Sequence, residues 1–145
     1  EMVNHDLPRR QADAVMTLER ILALAMAQGA SGLPREAELT ALADRIQADP
    51  GRNFTFPRIA KDLELSYSHF RRLFRQATGM PPHRFLIQCR LRRAAQLLQD
   101  ERRRIDEVAA SAGFDDPAGF SRAFSKFYGL APRDYRSRTF FGRKS

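Results

Sequence analysis

A helical motif that occurs twice, about 50 residues apart, constrains the fold of this chain more than any other feature. In the first copy, apolar side chains have the i, i+3, i+4, i+7 spacing of one buried helix stripe: Phe70, Leu73, Phe74 and Ala77. Adding 50 to each number gives a second stripe: Phe120, Ala123, Phe124 and Phe127. A glycine and a proline follow each stripe at equal spacing, as Gly79 with Pro82 and Gly129 with Pro132. Both helices are therefore predicted to end at a glycine.

Each copy is predicted to form a short helix, a turn and a longer helix, which is the helix-turn-helix arrangement. In the first copy these segments are residues 56–63, 64–65 and 66–78. In the second copy they are residues 105–112, 113–115 and 116–128. Thr55, Ser66 and Asp116 are the expected N-caps. The offset between the copies is 49 before the turn and 50 after it, which places one extra residue in the second turn, within 114–117.

The remaining segments frame these two units. Residues 82–99 are predicted to form a mostly apolar helix, about 27 Å long at 1.5 Å per residue, that braces the units. Residues 36–49 are predicted to form a helix behind the first unit. The expected division is an N-terminal segment, a first subdomain with its bracing helix, a second subdomain and a frayed basic tail: residues 1–34, 35–100, 101–137 and 138–145.

The N-terminal segment is expected to add an amphipathic helix over residues 8–28, followed by a linker. Its apolar stripe steps by 3, 4 and 3 residues: Val15, Leu18, Leu22 and Ala25. Two interpretations stay open, because such a stripe either packs on the rest of its own chain or forms a dimer seam.

Residues from about 39 to 136 resemble the C-terminal DNA-binding domain of AraC/XylS-type transcription regulators. The resemblance rests on the first unit, IAKDLELSYSHFRRLFRQATGMPPHRFL, and the second, VAASAGFDDPAGFSRAFSKFYGLAPRDYR. It implies an all-α fold of seven helices, in which two helix-turn-helix units joined by a long helix enter successive major grooves on one side of the DNA. It also implies that the N-terminal helix is the remnant of a sensor domain, where such helices often dimerise.

The side of each longer helix opposite its apolar stripe supplies the candidate DNA contacts. Candidates for base edges are Ser68, Arg71, Arg72, Ala118, Ser121 and Arg122. Candidates for phosphates are Tyr67, Arg75, Arg84, Lys126, Arg133 and Arg136, together with backbone amides at the helix starts. Arginine is favoured because it bonds guanine O6 and N7 bidentately. Ala118 and Gly119 are small where the family often carries a polar side chain, so the first unit is expected to be the more selective. For every cation the alternative is a solvated surface charge.

Charge and composition agree with a polyanion as partner. Residues 1–50 carry 5 Lys or Arg and 8 Asp or Glu, whereas residues 51–145 carry 20 and 9. The net charges are therefore −3 and +11, so the cationic charge lies in the segment with the repeat. A single cysteine, Cys89, excludes an intramolecular disulfide and a cysteine metal cluster. No signal peptide and no run of about 18 apolar residues is present, so a soluble, cytoplasmic protein is expected.

The expected function is sequence-specific binding of double-stranded promoter DNA by a transcription regulator. No cofactor, metal or membrane is expected, and RNA polymerase and a second copy of the chain are further candidate partners. Two alternatives stay open: a non-specific nucleic-acid-binding module, and an accessory DNA-binding domain of an enzyme. The enzyme alternative is the weaker, because Cys89 lies in an apolar helix without a nearby base and no Ser/His/Asp or paired-carboxylate pattern recurs.

Overall fold

A computed structural model of the chain describes residues 35–142, which form seven helices and no strand within that range. The first helix, α1, covers residues 35–48 of the described segment. The others are α2 (Phe56–Asp62), α3 (Tyr67–Thr78), α4 (Pro82–Leu97), α5 (Ile105–Ala112), α6 (Pro117–Tyr128) and α7 (Pro132–Phe141). The predicted all-α architecture of two helix-turn-helix units joined by a long helix is confirmed.

The chain divides after Glu38, and both helix-turn-helix units lie in the second part, Leu39–Ser145. The predicted N-terminal helix, with its proposed dimer stripe, falls outside the described residues. That stripe is Val15, Leu18, Leu22 and Ala25.

The longer helix of each unit is capped at both ends by residues that the repeat aligns. Ser66 Oγ accepts a hydrogen bond from the His69 amide at 3.2 Å, and the Asp116 carboxylate accepts from two amides of α6. Gly79 and Gly129 end the helices in the left-handed conformation, with φ of 89° and 76°. The predicted bounds are confirmed to within one residue. Thr55 occupies the N-cap position of α2, but its side chain makes no cap hydrogen bond, which corrects that expectation.

Backbone hydrogen bonds locate the extra residue of the second turn. The amide of Leu65 donates to Ala60 O at 2.9 Å, and the amide of Phe114 donates to Ala109 O at 3.0 Å. These pairs are 49 residues apart, whereas the N-caps that follow them are 50 apart. The extra residue is therefore Asp115.

Two hydrophobic cores are built on α4. The first contains buried residues of α1 to α4, including Phe70 and Phe74, and the second contains buried residues of α4 to α6, including Phe120 and Phe124. The α4 side chains of the first core are Phe85, Leu86 and Cys89. Those of the second are Ile87, Leu91, Ala94, Ala95 and Leu97, together with Leu98 at the C-cap. At about 100° per residue these two sets lie on roughly opposite faces of α4. One helix therefore belongs to both cores.

The last position of each predicted apolar stripe is wrong. Ala77 and Phe127 are exposed, and Phe127 keeps 39% of its surface accessible. The residues that follow them, Thr78 and Tyr128, turn inward instead. Tyr128 packs on the buried Phe124 ring at a centroid distance of 4.6 Å. The reason is geometric, because the core lies under the first two turns of the helix while the last turn faces the helix that follows the glycine.

The predicted frayed tail is also wrong in its first part, since α7 continues to Phe141. Pro132 occupies its first turn, and the Thr139 hydroxyl donates to Tyr135 O at 2.9 Å. The α7 helix is also tied to the loop between α4 and α5 by the side chain of Arg136, described below. The bracing helix α4 ends at Leu97 rather than at residue 99, and its 16 residues span about 24 Å.

The two turns differ at one backbone position, which generates a prediction. Glu64 has φ of 58° where the second unit has Gly113 with φ of 100°. The left-handed conformation costs an L-residue about 1–2 kcal/mol. We therefore expect Glu64→Gly to raise the free energy of unfolding by about 0.5–1 kcal/mol, after the larger backbone entropy of glycine in the unfolded chain is subtracted. Urea denaturation followed by circular dichroism measures it.

Glu64→Ala is the matched control, because it removes the same carboxylate and retains Cβ. It should show no comparable gain. Equal stabilisation by glycine and alanine would mean that the charge, and not the backbone conformation, is responsible.

Candidate nucleic-acid interface

The outward side of α3 is polar and cationic, as predicted. Ser68, Arg71, Arg72 and Arg75 are all exposed. The Arg71 guanidinium carbon lies 5.8 Å from the centre of the Tyr67 ring, which is a cation–π contact. The exposed Tyr67 ring in turn stacks on Phe70, at a centroid distance of 6.4 Å. A chain of ring contacts thus runs from the first core to Arg71, while Arg72 forms no ion pair with any described residue.

The outward side of α6 carries one long cation at the equivalent place. Arg122 is the counterpart of Arg72 and its side chain is 79% exposed. Ala118 is exposed beside it, and Ser121 is half-buried. Arg122 Nη2 lies 3.9 Å from Asp116 Oδ2. The base-edge candidates of both units are therefore on exposed or half-exposed positions of equivalent helices, as a surface that reads a groove requires.

The phosphate candidates separate into two groups. Arg75, Arg84, Lys126 and Arg133 are exposed. Arg136 is not available in the same way, because its guanidinium donates to three backbone carbonyls: Leu98 O at 3.0 Å, Asp100 O at 3.3 Å and Arg103 O at 2.8 Å. We therefore assign Arg136 a structural role, in which it holds the loop between α4 and α5 against α7.

The amides at the helix starts also differ from the sequence prediction. The His69 amide donates to Ser66, and the Ala118 and Gly119 amides donate to Asp116 at 3.1 Å each. These donors are already satisfied within the protein, so they are not offered to a phosphate.

Arg90 is a second structural arginine that sequence reasoning missed. Its Nε donates to Pro50 O at 2.8 Å and its Nη2 donates to Arg52 O at 3.1 Å, so α4 holds the loop between α1 and α2. Burial lowers the pKa of Arg90, and the nearby Asp115 opposes that shift. A Cβ at Gly113 would lie 2.7 Å from Arg90 Nε, so glycine there is needed for space as well as for its φ. The sequence indicates this structural role only by the position of Arg90 between two apolar residues of α4, Cys89 and Leu91.

Other sites with potential chemistry are few. A cavity of about 240 Å³ lies beside α4 and is lined by Gln47, Ala48, Pro50, Cys89, Arg92, Arg93 and Gln96. Within it, burial raises the pKa of the Cys89 thiol, and the charge of Arg92 opposes the shift only in part. The described part of the chain holds no cluster of His, Cys, Asp or Glu suited to a metal ion. None of the helices in residues 35–142 is long and apolar enough to cross a membrane.

Comparison with known proteins identifies the family to which this arrangement of helices belongs. Residues 59–138 match a family model described as a helix-turn-helix domain. The HTH-type transcriptional activator RhaR of Yersinia pseudotuberculosis is 36% identical over 112 residues, which is 77% of this chain and 39% of that protein. The chain belongs to the AraC/XylS family. It carries the family's helix-turn-helix DNA-binding domain, and it spans about two fifths of the length of the curated relatives that it matches first.

Solved AraC-type domains share the fold. The DNA-binding domain of AdpA, determined in complex with a target DNA, superposes with a TM-score of 0.66 at 29% identity, covering 76% of this chain and 96% of that one. An AraC-type transcriptional regulator from Chromobacterium violaceum gives a TM-score of 0.60 at 28% identity, covering 75% and 95%. In each unit α3 and α6 are the second helix, the position that holds the recognition helix in helix-turn-helix DNA-binding domains.

The free energy of unfolding distinguishes the structural role of Arg136 from the exposed position of Arg133, both in α7. Arg136→Ala leaves three carbonyls without their charged donor, and it should lower the free energy of unfolding by about 2–3 kcal/mol. Arg133→Ala removes an exposed charge one turn earlier, and it should change stability by less than about 0.5 kcal/mol. Urea denaturation of both variants measures the difference. If the two variants unfold alike, Arg136 is not a structural tie.

The raised pKa of Cys89 predicts a slow thiol. Because the reactive species is the thiolate, we expect the native protein at neutral pH to react with a thiol reagent at least about tenfold more slowly than free cysteine. The rate should rise to that of free cysteine when urea unfolds the chain. Rapid labelling of the folded protein would contradict this and would favour a reactive cysteine.

Proposed function

We propose that this chain is the DNA-binding part of a transcription regulator that recognises a specific promoter sequence through both recognition helices at once. The observation that carries the proposal is the equivalence of the two units. Each presents a capped helix, fixed from behind by two fully buried phenylalanines, with an exposed arginine at the same position. Those arginines are Arg72 and Arg122.

The spacing of the units supports recognition of one side of the duplex. Successive major grooves lie about 34 Å apart along one face of B-DNA. The α4 helix spans about 24 Å and belongs to both cores, so the units are separated by a stiff element of the same order as that repeat. The remaining distance is within the reach of side chains and a modest bend in the DNA. One copy of the domain then reads an asymmetric site without a palindrome.

Further parts of the proposal concern the whole protein. RhaR is named a transcriptional activator, and we assign this chain to a regulator of that kind, acting in the cytoplasm and without enzymatic activity. RNA polymerase is its proposed second partner. The N-terminal segment, with its apolar stripe over residues 15–25, is proposed to join two copies, which sedimentation of the chain with and without residues 1–34 tests.

Binding to selected duplexes tests the assignment of the base readers. Selection from random DNA defines the preferred site, and titrations at several salt concentrations give affinity and salt dependence. Arg72→Ala and Arg122→Ala should each relax preference at one base pair, by about 1–3 kcal/mol of discrimination. Arg75→Ala and Lys126→Ala should weaken binding to all sequences similarly and reduce the slope of log K against log salt by about 1.

Arg45→Ala is the control for charge alone, because Arg45 lies on the exposed side of α1. It should leave sequence preference unchanged. If no sequence is enriched by the selection, or random DNA competes as well as the selected duplex, binding is non-specific and the proposed function is wrong.

A further inference from the structure

The carboxylate of Asp116 contacts two parts of α6: the backbone amides of its first turn and the side chain of Arg122. Its Oδ1 accepts from the Ala118 amide and its Oδ2 from the Gly119 amide, at 3.1 Å each. The same Oδ2 lies 3.9 Å from Nη2 of Arg122. The acid therefore occupies the free amides at the start of α6 and also flanks the one arginine of this helix.

Gly119 provides the space for this arrangement. A Cβ at residue 119 would lie 3.1 Å from Asp116 Oδ2 and 3.6 Å from its Cγ. The 3.1 Å distance is tighter than ordinary van der Waals contact, so with a side chain there the carboxylate would have to shift by a few tenths of an ångström. The position of the Asp116 carboxylate therefore explains why residue 119 is a glycine, where the family often carries a polar side chain.

The first unit has no equivalent of this acid. Its recognition helix is capped by the neutral Ser66, and the sequence of α3 contains no Asp or Glu. Arg72, the counterpart of Arg122, forms no ion pair with any described residue, and its neighbour Arg71 lies 5.8 Å from the centre of the Tyr67 ring. Two helices that the repeat makes equivalent therefore differ by one negative charge at the N-cap.

We infer that Asp116 is a positioning and specificity-determining residue, which makes α6 discriminate between bases at the expense of general affinity. This inference rests on the proposed function. At 3.9 Å the Asp116 carboxylate attracts one edge of the Arg122 guanidinium without hydrogen-bonding it, and the other edge is left to bond guanine, so the arginine favours one orientation toward the base. Its negative charge also repels phosphates from the start of α6, where uncapped amides would attract them. Binding to a guanine at this place is therefore favourable, whereas binding to a phosphate at the same place is not.

Asp116→Asn tests the inference in the full chain. Asparagine is a favourable N-cap but has one acceptor oxygen where Asp116 uses two, so the variant should still fold, with at most a small loss in the free energy of unfolding, which a thermal melt checks. Its affinity for random duplex DNA should rise about threefold, the factor for one unit charge about 7 Å from a phosphate in a water-like dielectric. Preference for guanine at the base pair read by α6 should fall by at least about threefold, within the range that one bidentate arginine supplies.

Two further variants separate positioning from structure. In an Arg122→Ala background, Asp116→Asn should still raise random-DNA affinity but should change base preference no further. Ser66→Asn exchanges one neutral cap for another in the first unit, and it should leave the preference at the α6 base pair unchanged.

The outcomes distinguish this inference from the function on which it rests. Without an enriched site, both are wrong. With an enriched site, equal discrimination by wild type and Asp116→Asn overturns the inference alone. So does an effect of Asp116→Asn on base preference that persists without Arg122, because Asp116 then does not act through that arginine.

Discussion

The structure depends on burial at two opposite faces of a single helix. α4 contributes Leu86 and Cys89 to the first core and Leu91 and Ala94 to the second. Rotating one unit against the other would expose apolar surface on one of those faces, at about 25 cal/mol per Å². The relative placement of α3 and α6 is therefore fixed by packing rather than by a linker. A helix that serves two cores cannot show one clean apolar stripe, which is why the apolar residues of α4 fall on two faces with polar residues between them.

A second device fastens each unit to the helix that follows it. Arg90 of α4 bonds carbonyls of the loop that leads into the first unit, and Arg136 of α7 does the same for the second. Loop carbonyls near a core need partners, and the arginine fork satisfies several at once. Both units therefore use an arginine to bond the carbonyls of the preceding loop. The two arginines are not at matched positions, because the sequence counterpart of Arg136 is Leu86, one helical turn before Arg90.

The sequence predicted what depends on local pattern. Helix ends were predictable because Ser66, Asp116, Gly79 and Gly129 act on amides and carbonyls within a few residues. The fully buried phenylalanines were predictable because their spacing follows the helix period. Contacts across the fold were not. The carbonyl partners of Arg136 lie 33 to 38 residues away, so nothing near it in the chain separates a structural arginine from one that meets a phosphate.

The candidate site shows the same boundary between local and distant information. Periodicity correctly places Arg72 and Arg122 on equivalent exposed faces. It also predicts that Phe127 is buried, whereas the ring is exposed. Where a helix face stops being core depends on how far the next helix reaches, which is a property of packing.

Electrostatic differences between the units follow from single residues at matched positions. Ser66 and Asp116 satisfy the same kind of amide, so either suits the fold equally well. They differ by a full charge beside the surface that approaches DNA. Since a charge exchange at an N-cap alters the field at the groove without altering the helix, a duplicated unit can diverge in what it recognises while its two copies remain one structure. The acid beside Arg122, where the first unit has the neutral Ser66, is a result of that freedom.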